Sequence, residues 1–183
     1  LYHQTQVREE AGIQLFAQLF ESSKRFLHYD FCSELLSTLT EIQLVQPGSR
    51  RWVEFYEGKM ARLADNSAWA EAHAANQRLA ALPDLEPALR ARVAGDLGRY
   101  YYHISCQYLE AVAVLEESLS LRRQVDGELG ETFVLSHLAP AYAAAGLVDK
   151  ARTAGGRCVE LAQMLNDPYR EAWGHCSLGE SEA

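Results

Sequence analysis

A phrase recurs along this chain at a step of about forty residues, and a step of that size leaves few architectures open. Its clearest copy is Leu97-Gly98-Arg99-Tyr100-Tyr101, then Tyr108, then Glu110-Ala111-Val112-Ala113-Val114-Leu115. The next is Leu138-Ala139-Pro140-Ala141-Tyr142, then Gly146, then Lys150-Ala151, and a further copy opens at Leu178-Gly179. The leading anchors Phe16, Tyr56, Leu97, Leu138 and Leu178 are separated by 40, 41, 41 and 40 positions. A second series of small residues, Cys32, Ala72, Ala111 and Ala151, keeps steps of 40, 39 and 40. Two series sharing one step predict stacked units, each burying its apolar face against its neighbours.

Helical periodicity fills the space between the anchors. Ile13, Phe16, Ala17 and Phe20 lie at i, i+3, i+4 and i+7, one face of a first helix. Phe31, Leu35, Leu36, Leu39 and Ile42 make the second, which is expected to stop at Pro47-Gly48. Trp52, Val53, Tyr56 and Met60 drive the third, and Asn66-Ser67 offers a cap for the fourth, ending before Pro83. Pro87 suits the opening turn of the fifth, where its missing N–H costs nothing. Val112, Leu115, Leu119 and Leu121 organise the sixth. Gly127 and Gly130 flank the turn before the seventh, and Gly146 the turn before the eighth. Asp167-Pro168 reads as a cap and first-turn proline for a ninth. Pro140, about ten residues into the seventh helix, is expected to bend it. No run alternates as a strand would, so the fold class is all-α. The distance from leading anchor to small residue is 16 in the first two units, then 14 and 13. That predicts longer first helices or longer turns in units one and two.

Composition narrows the function classes. With 48% apolar and 23% charged residues the chain reads as a folded domain, and its formal charge of −8 argues against nucleic acid as a partner. No apolar run approaches the roughly 20 residues needed to span a bilayer, so no membrane association is expected. The chain starts without Met and ends inside a unit, which suggests an excerpt of a longer protein. Cys32, Cys106, Cys158 and Cys176 have no paired spacing, as expected of reduced thiols in the cytoplasm, and Cys32 and Cys158 fall on small packing positions. His103 with Cys106 and His175 with Cys176 invite a zinc reading, but four ligands must converge and the pairs lie about two units apart. Cys106 has no orienting carboxylate fixed by spacing near His103. We therefore expect no metal, no cofactor and no enzyme activity.

Leu97, Gly98, Tyr101, Tyr108, Ala111, Leu115 and Ser118, then Leu138, Ala139, Tyr142, Gly146, Ala151 and Cys158, carry a pattern that resembles the tetratricopeptide repeat. The resemblance implies a right-handed superhelical solenoid of antiparallel helix pairs, with units at about 8–47, 48–85, 86–127, 128–167 and a partial 168–183 in one repeat domain. The forty-residue step is similar to the longer version of the family, found in bacterial signalling ATPases and transcriptional regulators as a carboxy-terminal sensor arm. It further implies a concave groove, lined by the first helix of each pair, that holds a peptide or partner segment. By phase, that surface takes in Gln14, Gln18, Glu21, Arg51, Glu54, Arg62, Arg92, Arg99, Tyr102, His103, Phe133, Ser136 and Trp173.

Among these, Arg51, Arg62, Arg92 and Arg99 concentrate positive charge, which points to an acidic, carboxylate-bearing peptide, because guanidinium pairs with carboxylate through two hydrogen bonds. Tyr102 offers a stacking surface. The alternative is a scaffold that self-associates into a homo-oligomer through its carboxy-terminal face, where Trp173 and Leu178 leave an unfinished apolar surface.

Overall fold

In the computed structural model, residues 9–25, 28–42, 44–65 and 68–182 are described; among them are nine helices and no strand. The helices are α1 (Glu9–Arg25), α2 (Tyr29–Glu41), α3 (Pro47–Ala64), α4 (Trp69–Ala80), α5 (Pro87–His103), α6 (Tyr108–Val125), α7 (Gly127–Ala144), α8 (Val148–Met164) and α9 (Pro168–Glu182). The all-helical expectation holds. Packing divides the chain into two units, Leu1–Leu82 and Pro83–Ala183, close to the expected join between the second and third sequence repeats.

In the first unit α1 packs on α2 and α3, α2 on α3, and α3 on α4. Its centre is aromatic: Phe16, Phe20, Phe55 and Tyr56 are all within 1% of complete burial. The Tyr56 ring lies 4.9 Å from Phe16, 4.6 Å from Phe20 and 5.0 Å from Phe55, in tilted or edge-on geometry that suits ring quadrupoles. The buried stripe of α3 is Trp52, Phe55, Tyr56, Lys59 and Arg62, whereas Val53 and Met60, expected on that face, are half-buried. Spacings of three and four residues run through two cations, and charge hid them from a reading that counted apolar residues. Pro47 opens α3 at its first turn instead of closing α2, since a proline tolerates that site without losing a helical hydrogen bond. Phe31 is 44% exposed and lies off the buried face of α2. The cap expected at Asn66-Ser67 lies outside the described residues.

The second unit is a run of five helices, each packed on the next, with α7 also touching α5 and α9. Leu115, Val134, Leu138, Ala139, Ala151, Cys158 and Leu161 are at most 1% exposed. Leu119 is half-buried against them, and Leu121 is half-buried on the same helix. At Gly98 a Cβ would stand 2.4 Å from Leu115 Cγ, so only glycine permits α5 and α6 to come this close. Ser118 adds a buried cross-helix bond, its hydroxyl donating to Ala91 O at 2.7 Å. Gly130 lies inside α7, buried, instead of flanking its entry turn, while Gly127 forms that turn with φ +57°. Pro140 lies within α7, which continues past it to Ala144. The cap expected before α9 is present: Asp167 Oδ1 accepts from Arg170 N at 3.2 Å.

The first helices of the two leading sequence repeats are not longer, at 17 and 18 residues against 17 and 18 in the next two repeats. What differs is the stretch after each anchor, Phe16 to Arg25 and Tyr56 to Ala64 against Leu97 to His103 and Leu138 to Ala144. The anchors slide along helices of constant length, and the second helices of the two leading repeats are shorter instead, 13 and 12 residues against 18 and 17. Cys32, Ala72, Ala111 and Ala151 each stand fourth in α2, α4, α6 and α8, and each is at most 4% exposed.

Candidate functional site

The residues expected to form one surface fall in both units. In the first unit Gln14 and Gln18 are exposed on α1 and Arg51 is half-buried on α3. Glu21 and Glu54 carry ion pairs, with Lys59 at 2.5 Å and Arg78 at 3.0 Å respectively. Arg62 is not on a surface at all: it is 5% exposed, its guanidinium 4.4 Å from the Trp69 ring centre. That is a structural cation–π contact between α3 and α4.

In the second unit the structure gathers α5 and α7. From the carboxy-terminal turn of α5, Tyr102 and His103 stand with ring centres 4.7 Å apart. Tyr102 is also 5.9 Å from Tyr108 at the start of α6. His103 reaches His137 of α7 at 6.4 Å, and His137 is 5.3 Å from Phe133, one helical turn earlier. Five rings thus form a continuous series across three helices, with His103 exposed and the other four half-buried. The turn between α5 and α6 holds the Tyr108 end in place: Cys106 adopts φ 53° and Gln107 N donates to Tyr101 O at 2.9 Å. The hydrogen bond with the Cys106 side chain holds the Tyr108 phenol above its usual pKa.

At the Phe133 end the ring lies 5.0 Å from the Arg122 guanidinium and 5.5 Å from that of Arg170. Asp126 accepts from Arg122 at 2.8 Å and lies 3.6 Å from Arg92, whose Nη1 donates to Ala88 O at 3.0 Å. Arg170 is paired with Asp167. Arg99 lies 3.5 Å from Asp96. Arg92 and Arg99 therefore face carboxylates of their own chain, with side chains 13% and 18% exposed. Ser136, expected on the surface, is 4% exposed and donates its hydroxyl to Phe133 O at 2.8 Å. Trp173 is half-buried on α9, its ring 6.4 Å from Tyr169.

Of the expected residues, Tyr102, His103 and Phe133 come together, and the arginines do not add a free cationic surface to them. His137 was missed, although its spacing of four from Phe133 places both on one helical face. Arg122 and Arg170 were missed because the Phe133 ring that both approach lies on another helix, α7. Such a surface can stack on peptide planes or side chains and donate or accept hydrogen bonds through imidazole and phenol. Among the described residues no group of three or more His, Cys, Asp or Glu gathers as a metal site, and no helix is long and apolar enough to cross a membrane. No protein-family model matches the chain, and no curated protein matches it.

Proposed function

We propose that this chain is a tetratricopeptide-type interaction module whose second unit holds a segment of a partner protein or peptide against the ring series of α5 and α7. The observation that carries the reading is that series itself: Tyr102, His103, His137 and Phe133 lie on the first helices of successive pairs, Tyr108 at the start of α6 extends it, and each ring is partly open to solvent. The helix pairing supports the repeat reading, with the small anchors fourth in every second helix. The resemblance to the longer-step repeats supports a place within a larger cytoplasmic signalling or transcription-regulating protein, as a sensing or docking arm without catalysis. With Arg62, Arg92 and Arg99 engaged inside the chain, aromatic stacking and imidazole hydrogen bonds carry recognition, and acidity of the partner segment is secondary on this surface.

Panning a library of short random peptides displayed on phage tests the reading. Selected peptides should bind the purified protein and lose about tenfold or more in affinity when Tyr102 and His103 are both replaced by alanine, with helicity unchanged. Selected peptides that bind the double variant equally well would remove this surface from the account.

A second reading, self-association, is favoured by the end of the chain around α9. Met164 and Tyr169 are 64% and 68% exposed there, and the Tyr169 ring lies 6.4 Å from that of Trp173. Light scattering of the wild type against Tyr169→Glu separates it: a mass that falls in the variant supports a homo-oligomer, and a monomeric wild type removes it.

A further inference from the structure

A cavity of about 280 Å³ opens in the first unit, where the end of α2 and the segment after it run past α3. It is just smaller than the ~300–1,000 Å³ of pockets that take drug-sized ligands, so only a short molecule fits. Leu39, Ile42 and Leu44, each at most 8% exposed, and half-buried Val53 give it an apolar wall. Glu9 of α1 fastens the segment before α3, its carboxylate accepting from Val45 N at 3.2 Å and Gln46 N at 3.0 Å. A wall fixed before binding loses little freedom when a ligand arrives.

The charges that line the cavity, Arg50, Glu54 and Glu57, all come from α3. Arg50 and Glu54 have the i,i+4 spacing of a helical ion pair, yet Glu54 is taken by Arg78 of α4 at 3.0 Å. Arg50 Nε donates to Leu44 O at 2.9 Å, and among the described residues the arginine has no carboxylate partner. Of its five N–H donors, the remaining four stay open to a ligand. Glu57 is exposed and, among the described residues, makes no ion pair or side-chain hydrogen bond. Thr40, the other polar residue of the lining, gives its hydroxyl to Ser37 O at 2.8 Å. The cavity thus has a positive end and a negative end that the chain itself leaves unmatched. They are seven residues apart on α3, about 10 Å at 1.5 Å per residue. An extended peptide of about three residues, at ~3.3 Å each, sets its terminal ammonium and carboxylate at that separation.

We propose that this cavity binds a free peptide of about three residues with an apolar central side chain. Its carboxylate pairs with Arg50, its ammonium with Glu57, and the side chain between them lies against Leu39, Ile42 and Leu44. A guanidinium fork suits the planar carboxylate, and a point charge such as an ammonium suits Glu57. The two ends together select a zwitterion: an anion alone would leave Glu57 unmatched, and a cation alone would leave Arg50 so. The site uses no residue of the ring series of α5 and α7, and it stands whether or not that surface binds a partner.

The test is a titration of the full chain with the tripeptide Gly-Leu-Gly, both termini free, followed by amide chemical shifts. Further probes are its amino-terminal acetyl form, its carboxy-terminal amide, triglycine and octanoate. Shifts should localise at Leu39, Ile42, Leu44 and Val53, saturate with Gly-Leu-Gly and weaken about tenfold or more with each altered peptide. Two exchanges assign the ends. In Arg50→Gln the free acid and the amide should bind alike, and in Glu57→Gln the free and acetylated peptides should bind alike. The five probes on the wild type decide the matter if a variant fails to fold. Shifts elsewhere in the chain, or wild-type binding that acetylation and amidation leave unchanged, would overturn the proposal. Saturation by octanoate without binding of Gly-Leu-Gly would overturn it too, in favour of a small apolar acid.

Discussion

Lys59 Nζ lies 2.5 Å from Glu21 Oε1, joining residues 38 positions apart and fastening α1 to α3. The lysine side chain is 2% exposed, and its ammonium also sits 5.2 Å from the Phe55 ring centre and 5.6 Å from that of Tyr56. A buried ammonium is tolerated only when paired, and here one carboxylate and two ring faces share that task. Glu21, expected to face a ligand groove, instead neutralises a cation inside the first unit.

Removing the carboxylate should therefore cost more than a surface ion pair would. Glu21→Gln leaves Lys59 buried with a neutral amide, and the loss should be about 3 kcal/mol in urea unfolding of the chain at neutral pH. Lys59→Met in the same background should restore most of it, because an apolar side chain of similar length needs no counter-charge. An unchanged unfolding midpoint in Glu21→Gln would show that the pair contributes nothing.

The same pair sets an acid limit. Burial pushes the Glu21 carboxyl upward, but Lys59 and Lys24 overcome it and hold the folded-state pKa well below the ordinary value of 4.5. Unfolding then takes up a proton, so the pair's contribution is complete above about pH 4.5 and is lost as pH falls through the folded-state value. Urea midpoints measured downward from pH 5 should decline more steeply for the wild type than for Glu21→Gln.

Two glycine replacements should act in opposite directions. Gly98→Ala gains about 1 kcal/mol of helix propensity but drives a Cβ to 2.4 Å from Leu115 Cγ, in a layer where Leu115 is 1% exposed. Overpacking of this kind costs about 1–3 kcal/mol, and the net result should be a loss of roughly 1 kcal/mol. A Cβ at Gly156 of α8 meets nothing within 4 Å, so Gly156→Ala should stabilise by about 0.5–1 kcal/mol. Thermal unfolding of the two variants checks the pair of signs.

The four thiols should separate into two classes. Cys106 and Cys176 are exposed, whereas Cys32 and Cys158 are buried. Burial pushes the Cys158 thiol up to about 11, and burial likewise raises Cys32. Since the thiolate is the reacting form, an alkylating reagent at neutral pH should modify Cys106 and Cys176 in the native chain and the other two only after denaturation. Mass spectrometry of timed digests reads this directly, and early labelling of Cys158 would contradict the packing of α8.

At the start of α9, Asp167 is 1% exposed and caps the helix through Arg170 N at 3.2 Å. Asp167→Ala should destabilise by about 1–2 kcal/mol, and Asp167→Asn by less, because asparagine keeps a capping oxygen. Equal losses in the two variants would assign the effect to the lost charge beside Arg170 instead of to the cap.

The amino-acid order alone determined where helices pair and which positions must be small. Cys32, Ala72, Ala111 and Ala151 are legible because a chain that brings helices close at regular intervals needs a small side chain at the same station each time. Tyr102, His103 and Phe133 were legible as surface candidates for a related reason, since phase along a helix assigns a face. Tertiary structure alone decided that Arg62 is buried on Trp69, that Lys59 is held by Glu21, that Arg92 faces Asp126, and that His137 links two helices of rings. Periodicity reports what apolar residues do and leaves a charge on the outside by default. Whether a charge is instead taken inside depends on a partner from another part of the fold, and that partner has no fixed spacing in sequence.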